Sequence, residues 1–138
     1  MANEATLHIE THTPINFTVA DGTGIEKGAL LALSDPFTAA THSAAEQNFA
    51  GVAAREKIAS NGQTKLAVFR GGVFKMTLSG SATVGDPLCL DASINHVKSA
   101  RGIAAASLSG SKILGVALET GTTGETIFVE VRPVPTAV

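Results

Sequence analysis

The stretch Leu66–Leu78, LAVFRGGVFKMTL, sets the pair Gly71-Gly72 between Arg70 and Lys75, the composition of a loop that could hold a phosphate. A phosphate loop needs its glycines to open a helix, so that backbone N–H groups and the helix dipole face the anion. Val73–Leu78 instead carries the alternation of a strand, and neither GxxxxGK(S/T) nor GxGxxG stands at a strand-to-helix junction. A Gly-Gly pair between two alternating runs signals a two-residue hairpin, because a type I′ turn needs positive φ at both central residues. The sequence therefore predicts a hairpin here, with Arg70 and Lys75 on a sheet surface.

The other reactive side chains are scattered. His8 and His12 are four apart; on a strand they share a face about 13 Å apart, too far for one metal. Asp86 and Asp91 bracket PLCL, and paired carboxylates can do acid–base work. Five residues apart on a strand, they face opposite sides, and Asp86 between Gly85 and Pro87 reads as turn chemistry. Cys89 is the single cysteine, which excludes a disulfide framework; it lacks a local His partner and reads as a small packing residue. His42 and His96 have no sequence partner. No catalytic, cofactor-binding or metal site is expected, and the chain reads as a non-enzyme.

The elements that would carry these residues are strands. Period-2 alternation or short apolar runs mark Thr6–Glu10, Ile15–Val19, Ala29–Leu33, Phe49–Ala54, Lys65–Arg70, Val73–Leu78, Pro87–Leu90, Ile94–Lys98, Ile113–Glu119 and Thr126–Arg132. Many short strands separated by turn residues indicate an all-β fold, a small β-barrel or β-sandwich. The Ala-rich stretches Phe37–Gln47 and Arg101–Leu108 lack alternation and read as a helical turn or a long loop. Residues 1–14 form an extended N-terminal arm with no local strand to pair with, ahead of a single β domain over 15–138. The C-terminal PVPTAV is also extended, since Pro133 and Pro135 cannot join the interior of a ladder.

An internal repeat is visible. IEKGALLAL (Ile25–Leu33) matches ATVGDPLCL (Ala82–Leu90), aligning Gly28 with Gly85. Gly51–Arg70 matches Gly115–Arg132, each a GVA strand, a polar turn and an alternating strand ending in Arg. The expectation is two duplicated β units, 15–70 and 73–132, closed against each other so that sheet edges are removed. Gly28, Gly71, Gly72 and Gly85 are its structural turn glycines.

Composition narrows the function. Hydrophobic residues make up 44% and charged residues 16%, too apolar for disorder, while the apolar runs are far shorter than the ~20 residues of a membrane span. The start MANEATLHIE lacks a signal-peptide pattern, so the chain is expected to stay in the cytoplasm where it is made. The ten Lys and Arg form no patch, which argues against nucleic acid.

The order of motifs resembles a known family. Gly72–Phe74 (GVF), Gly85–Asp91 (GDPLCLD), Leu114–Ala117 (LGVA) and Ile127–Arg132, an alternating strand ending in Arg, are similar to the capsid cement, or head decoration, proteins of tailed bacteriophages. The resemblance covers about Thr18 to Pro133. The chain departs from that pattern in its longer arm and in Leu90, where an aromatic is common. The resemblance implies a β-barrel virion protein on the outer surface of the capsid. It would bind the major capsid protein, usually as a homotrimer at three-fold and quasi-three-fold positions, and reinforce the expanded shell without cofactor. The arm, with Leu7 and Ile9 on one face, is expected to be disordered until Thr6, Leu7, His8, Ile9 and Glu10 add a strand to a capsid sheet. Rival readings are another virion β module (tail-tube or fibre-base domain), a small β-barrel enzyme using Asp86, Asp91 or His96, and a carbohydrate-binding sandwich. The absence of Trp and Tyr counts against the last.

Overall fold

A computed structural model of the chain describes residues 3–108 and 110–136. Its strands are β1 (Thr6–Ile9), β2 (Ile15–Thr18), β3 (Leu30–Asp35), β4 (Thr38–Thr41), β5 (Phe49–Ala53), β6 (Lys65–Phe69), β7 (Gly72–Leu78), β8 (Pro87–Leu90), β9 (His96–Ser99), β10 (Gly110–Ala117) and β11 (Thr126–Thr136). A 3-10 turn covers Ala105–Leu108.

The strands close into two five-stranded barrels. The first runs β2-β4-β3-β5-β6; the second runs β7-β11-β10-β8-β9 and closes where β9 pairs in parallel with β7. The pairings correspond one for one. β2 meets β6 antiparallel and β4 parallel, as β7 meets β11 antiparallel and β9 parallel. The bridge Ile25↔Lys57 in the first barrel has its counterpart in Ala82↔Gly121 in the second. Gly28 and Gly85 take φ of +89° and +92° at equivalent turns before β3 and β8. The small β-barrel expected from the alternation is what the chain forms.

Alternation decides which core each residue enters. Leu31, Ala50, Ala53, Leu66 and Val68 fill the first barrel, together with Phe17 and Ile25. Their neighbours Leu30, Phe49, Val52 and Phe69 turn outward onto the second barrel and join Phe74, Met76, Leu88, Leu114 and Val129 in one continuous core. β5 is buried on both faces for this reason. A smaller cluster holds Cys89, Ala100 and Leu108.

Four expectations are corrected. Gly71-Gly72 is not a hairpin: β6 and β7 do not pair, because β6 already has β2 and β5 on its two edges and β7 has β11 and β1. The pair is the crossover between barrels, and only Gly72, at φ +132°, has positive φ. The arm is not without a partner in its own chain: β1 lies antiparallel on β7, with Thr6 opposite Lys75 and Leu7 opposite Phe74. The stretch Phe37–Gln47 contains a strand, β4, whose Ala-Ala centre gave no alternation to read. Pro133 and Pro135 do lie in a strand, since β11 runs to Thr136 against β10. They are tolerated there because β7 stops pairing at Val131, leaving the other edge of β11 open.

Candidate partner-binding surface

Barrel closure leaves few backbone groups for another molecule, and β1 is the outermost strand of its sheet. All four of its residues are exposed. Its inner edge is on β7, so its outer edge presents the unpaired N–H and C=O groups that strand addition requires.

Glycines seat the arm. The Ala5 N–H donates to Gly28 O at 2.8 Å, and Ala5 is buried among Leu30, Phe69 and Phe74. A Cβ on Gly28 would lie inside contact distance of the Ala5 carbonyl and 3.0 Å from Glu4 Cβ. A Cβ on Gly72 would meet the Ile9 carbonyl at 3.0 Å, and one on Gly71 would collide with the His12 ring. At Gly85 the same Cβ would meet nothing within 4 Å, so that glycine serves its turn alone.

On the arm's face, His8 packs on Phe128 with ring centroids 4.6 Å apart, and Lys75 Nζ lies 5.2 Å from the same ring. Leu7 and Ile9 remain exposed, Ile9 at 51%. Between arm and barrels runs a 580 Å³ groove lined by Glu4, Thr6, Leu7, Lys27, Ala54 and Phe74. Thus Thr6, Leu7, His8 and Ile9 are brought together on an open edge, and Glu10 follows directly.

Of the residues weighed for catalysis, Asp91 and His96 meet across one turn, where the Asp91 N–H donates to the His96 carbonyl at 3.0 Å and His96 Nδ1 lies 2.9 Å from Ile94 O, whereas Asp86 is tied to other partners. Asp86 is buried and saturated: its carboxylate accepts from Thr83 N–H at 3.0 Å, Ser99 Oγ at 2.9 Å and Arg101 Nε at 2.8 Å. The Thr83 hydrogen bond foremost, with Ser99 and Arg101 and against the effect of burial, holds it below the usual carboxylate range. Asp91 caps its own turn by accepting from Ser93 N–H at 3.0 Å. There, burial pushes the carboxyl up, but hydrogen bonds from Ser93, Ser79 and Ala92 bring the net shift downward. The Cys89 thiol is pushed up to about 11 by burial, which makes it a poor nucleophile at neutral pH. Among the described residues, no three His, Cys, Asp or Glu form a metal-binding group.

Three buried polar residues, His42, Asn95 and Lys57, gave no sequence signal. His42 is fully buried, and its Nε2 accepts from Asn95 N–H at 2.7 Å. Burial lowers its pKa, keeping the ring in the neutral form that this bond requires. Asn95, from the second barrel, accepts in turn from Leu30 N–H at 3.0 Å, so the pair ties the barrels together. Lys57 is buried with Nζ donating to Asp21 O at 2.7 Å and Ile58 O at 3.1 Å. Apart from Ile58, these partners lie 36 to 65 residues away, beyond any local pattern.

A tandem β-barrel whose buried Asp86, Asn95 and Lys57 are tied to protein partners, with an open edge strand outside, defines a structural β module. The family model for phage cement proteins matches residues 9–133, and the chain belongs to that family. It is a structural virion protein of the cement class. Among curated protein sequences, none matches it. Among solved structures, the chain is similar to the head fiber gp8.5 N base of bacteriophage phi29. That likeness has a TM-score of 0.56 at 16% identity, over 91% of this chain and 99% of the other.

Proposed function

We propose that the chain decorates the outer surface of the phage head and stabilises the expanded shell without catalysing a reaction. It would bind the major capsid protein as a homotrimer at three-fold and quasi-three-fold positions. The family match over residues 9–133 carries this reading. Cement action follows from mass action, since a protein that binds only the assembled lattice stabilises it in proportion to occupancy.

The contact we assign is the arm. Thr6, Leu7, His8, Ile9 and Glu10 would add the outer edge of β1 to a capsid sheet, with backbone hydrogen bonds supplying affinity and Leu7 and Ile9 the apolar contact. Neither nucleic acid nor membrane is a partner on this reading. The basic residues are scattered along the sequence without a cluster, and among the described residues no helix is long and apolar enough to cross a membrane.

The test removes Ala2–Thr13 and measures occupancy on expanded heads, alongside a circular dichroism melt that checks folding. A folded truncation with strongly reduced occupancy is expected. Undiminished occupancy would remove the arm from the interface, and finding the protein on tails rather than heads would overturn the decoration reading itself.

A further inference from the structure

On the first barrel lies a shallow groove of 340 Å³ lined by Ile15, Phe17, Leu33, Pro36, Phe37 and Arg70, none of which belongs to β1. Five of these six residues are apolar, and Ile15 and Phe37 are 45% and 67% exposed. Phe37 is fixed in this open position. It stands at the β3–β4 tip with φ +48°, a conformation bulky residues rarely adopt. Its carbonyl accepts from Thr18 N–H at 2.6 Å, and its ring packs on Phe17 with centroids 5.9 Å apart.

Arg70 gives the groove a charge. Its Nη1 donates to the carbonyls of Phe49 and Ala50 at 3.1 and 2.9 Å, which fixes the guanidinium but leaves its charge unanswered. Among the described residues no carboxylate lies within ion-pair distance of it, Asp35 at the end of β3 included. Burial lowers the Arg70 pKa, with no neighbouring carboxylate acting against it. A partly desolvated guanidinium beside an apolar trough is complementary to a carboxylate carried next to an apolar side chain.

We infer that this groove docks an acidic peptide segment of a partner protein, its apolar side chain against Ile15, Leu33 and Phe37 and its carboxylate on Arg70. The carboxylate can belong to an Asp or Glu side chain or to a chain terminus. The inference goes beyond the arm contact, and its test needs no phage head, so either can fail without the other.

The experiment titrates the whole protein, followed by two-dimensional NMR, with three probes. They are acetyl-Gly-Leu-Phe-Asp-Gly-amide, the same peptide with Asn for Asp, and acetyl-Gly-Leu-Phe with a free carboxyl end. Signals of Ile15, Leu33 and Phe37 are expected to move with the Asp peptide and with one tenfold weaker for Asn, about what one charge-assisted hydrogen bond supplies. The relative affinity of the free-acid peptide reports which carboxylate source the groove prefers. Arg70→Gln should erase the Asp/Asn difference. Because that change also removes two backbone contacts, Phe37→Ser, at an exposed tip, is the second variant and should weaken all three probes alike. Equal binding of Asp and Asn peptides, shifts located elsewhere, or no binding would overturn the inference. So would self-association of the unliganded protein that Phe37→Ser abolishes, which would make the occupant a second copy.

Discussion

Gly28 and Gly85 provide an internal control for the seating of the arm. They occupy equivalent turns with φ within 3° of each other, but only Gly28 lies under the arm. Gly85→Ala adds a Cβ in open space, so its cost is backbone strain alone, on the order of 1 kcal/mol. Gly28→Ala carries the same strain and also drives a Cβ into the Ala5 carbonyl. The arm's start must then lift off, losing the Ala5–Gly28 hydrogen bond, ~1 kcal/mol. It also exposes the buried Ala5 methyl, ~0.8 kcal/mol. Gly28→Ala should therefore cost about 3 kcal/mol against about 1 for Gly85→Ala. At roughly 3 °C per kcal/mol for a chain of this length, the melting points should differ by about 6 °C.

The assay pairs thermal melts with hydrogen exchange over residues 5–10. Protection there should fall in Gly28→Ala and stay unchanged in Gly85→Ala. Equal melting points with unchanged protection in both variants would refute the reasoning, because the arm would then not rest on Gly28.

Two further outcomes follow from the buried ionisable groups. Asp86 has its folded pKa depressed, so its stabilising contribution is present above the unfolded value near 3.9 and is lost as pH falls through the folded value. Urea midpoints of the wild type and Asp86→Asn should differ most at neutral pH and converge below about pH 4; a gap independent of pH would refute this. Cys89, buried with its thiol raised to about 11, should resist a thiol reagent at pH 7.5 in the folded protein and react on unfolding in urea.

Much of this architecture is written locally. INFTV and KLAVF alternate because one face enters the first barrel, and the matched segments around Gly28 and Gly85 announce turns that the chain builds twice. Failures arise where a distant pairing overrides a local signal. LAVFRGGVFKMTL has the local form of a hairpin, yet closing each barrel uses both edges of β6 and β7, so the strands part at the glycines. TAAT forms β4 because β3 and β2 supply its edges, a fact that no property of its alanines signals. The arm residues were legible as an exposed strand. Their docking was not, because it depends on missing Cβ atoms at Gly28, Gly71 and Gly72, which lie far along the chain from the Ala5, His12 and Ile9 they receive.

The asymmetry between the barrels bears on the proposed function. Closure hides most of the backbone of both barrels, which guards against the aggregation that open edges invite. Among the described residues two edges stay open, the end of β11, which Pro133 and Pro135 blunt, and β1, which is only four residues long, with His8 within it and Glu10 just beyond. So short an edge offers few hydrogen bonds and would bind one isolated strand weakly. On an assembled shell, linked copies would present several such edges at once, and weak contacts become firm when they are engaged together. Weakness in isolation is then useful: it would keep the free protein from capturing unassembled partners and reserve tight binding for the lattice. Lengthening β1 by extending its alternating pattern should accordingly raise affinity for free capsid subunits more than occupancy on finished heads.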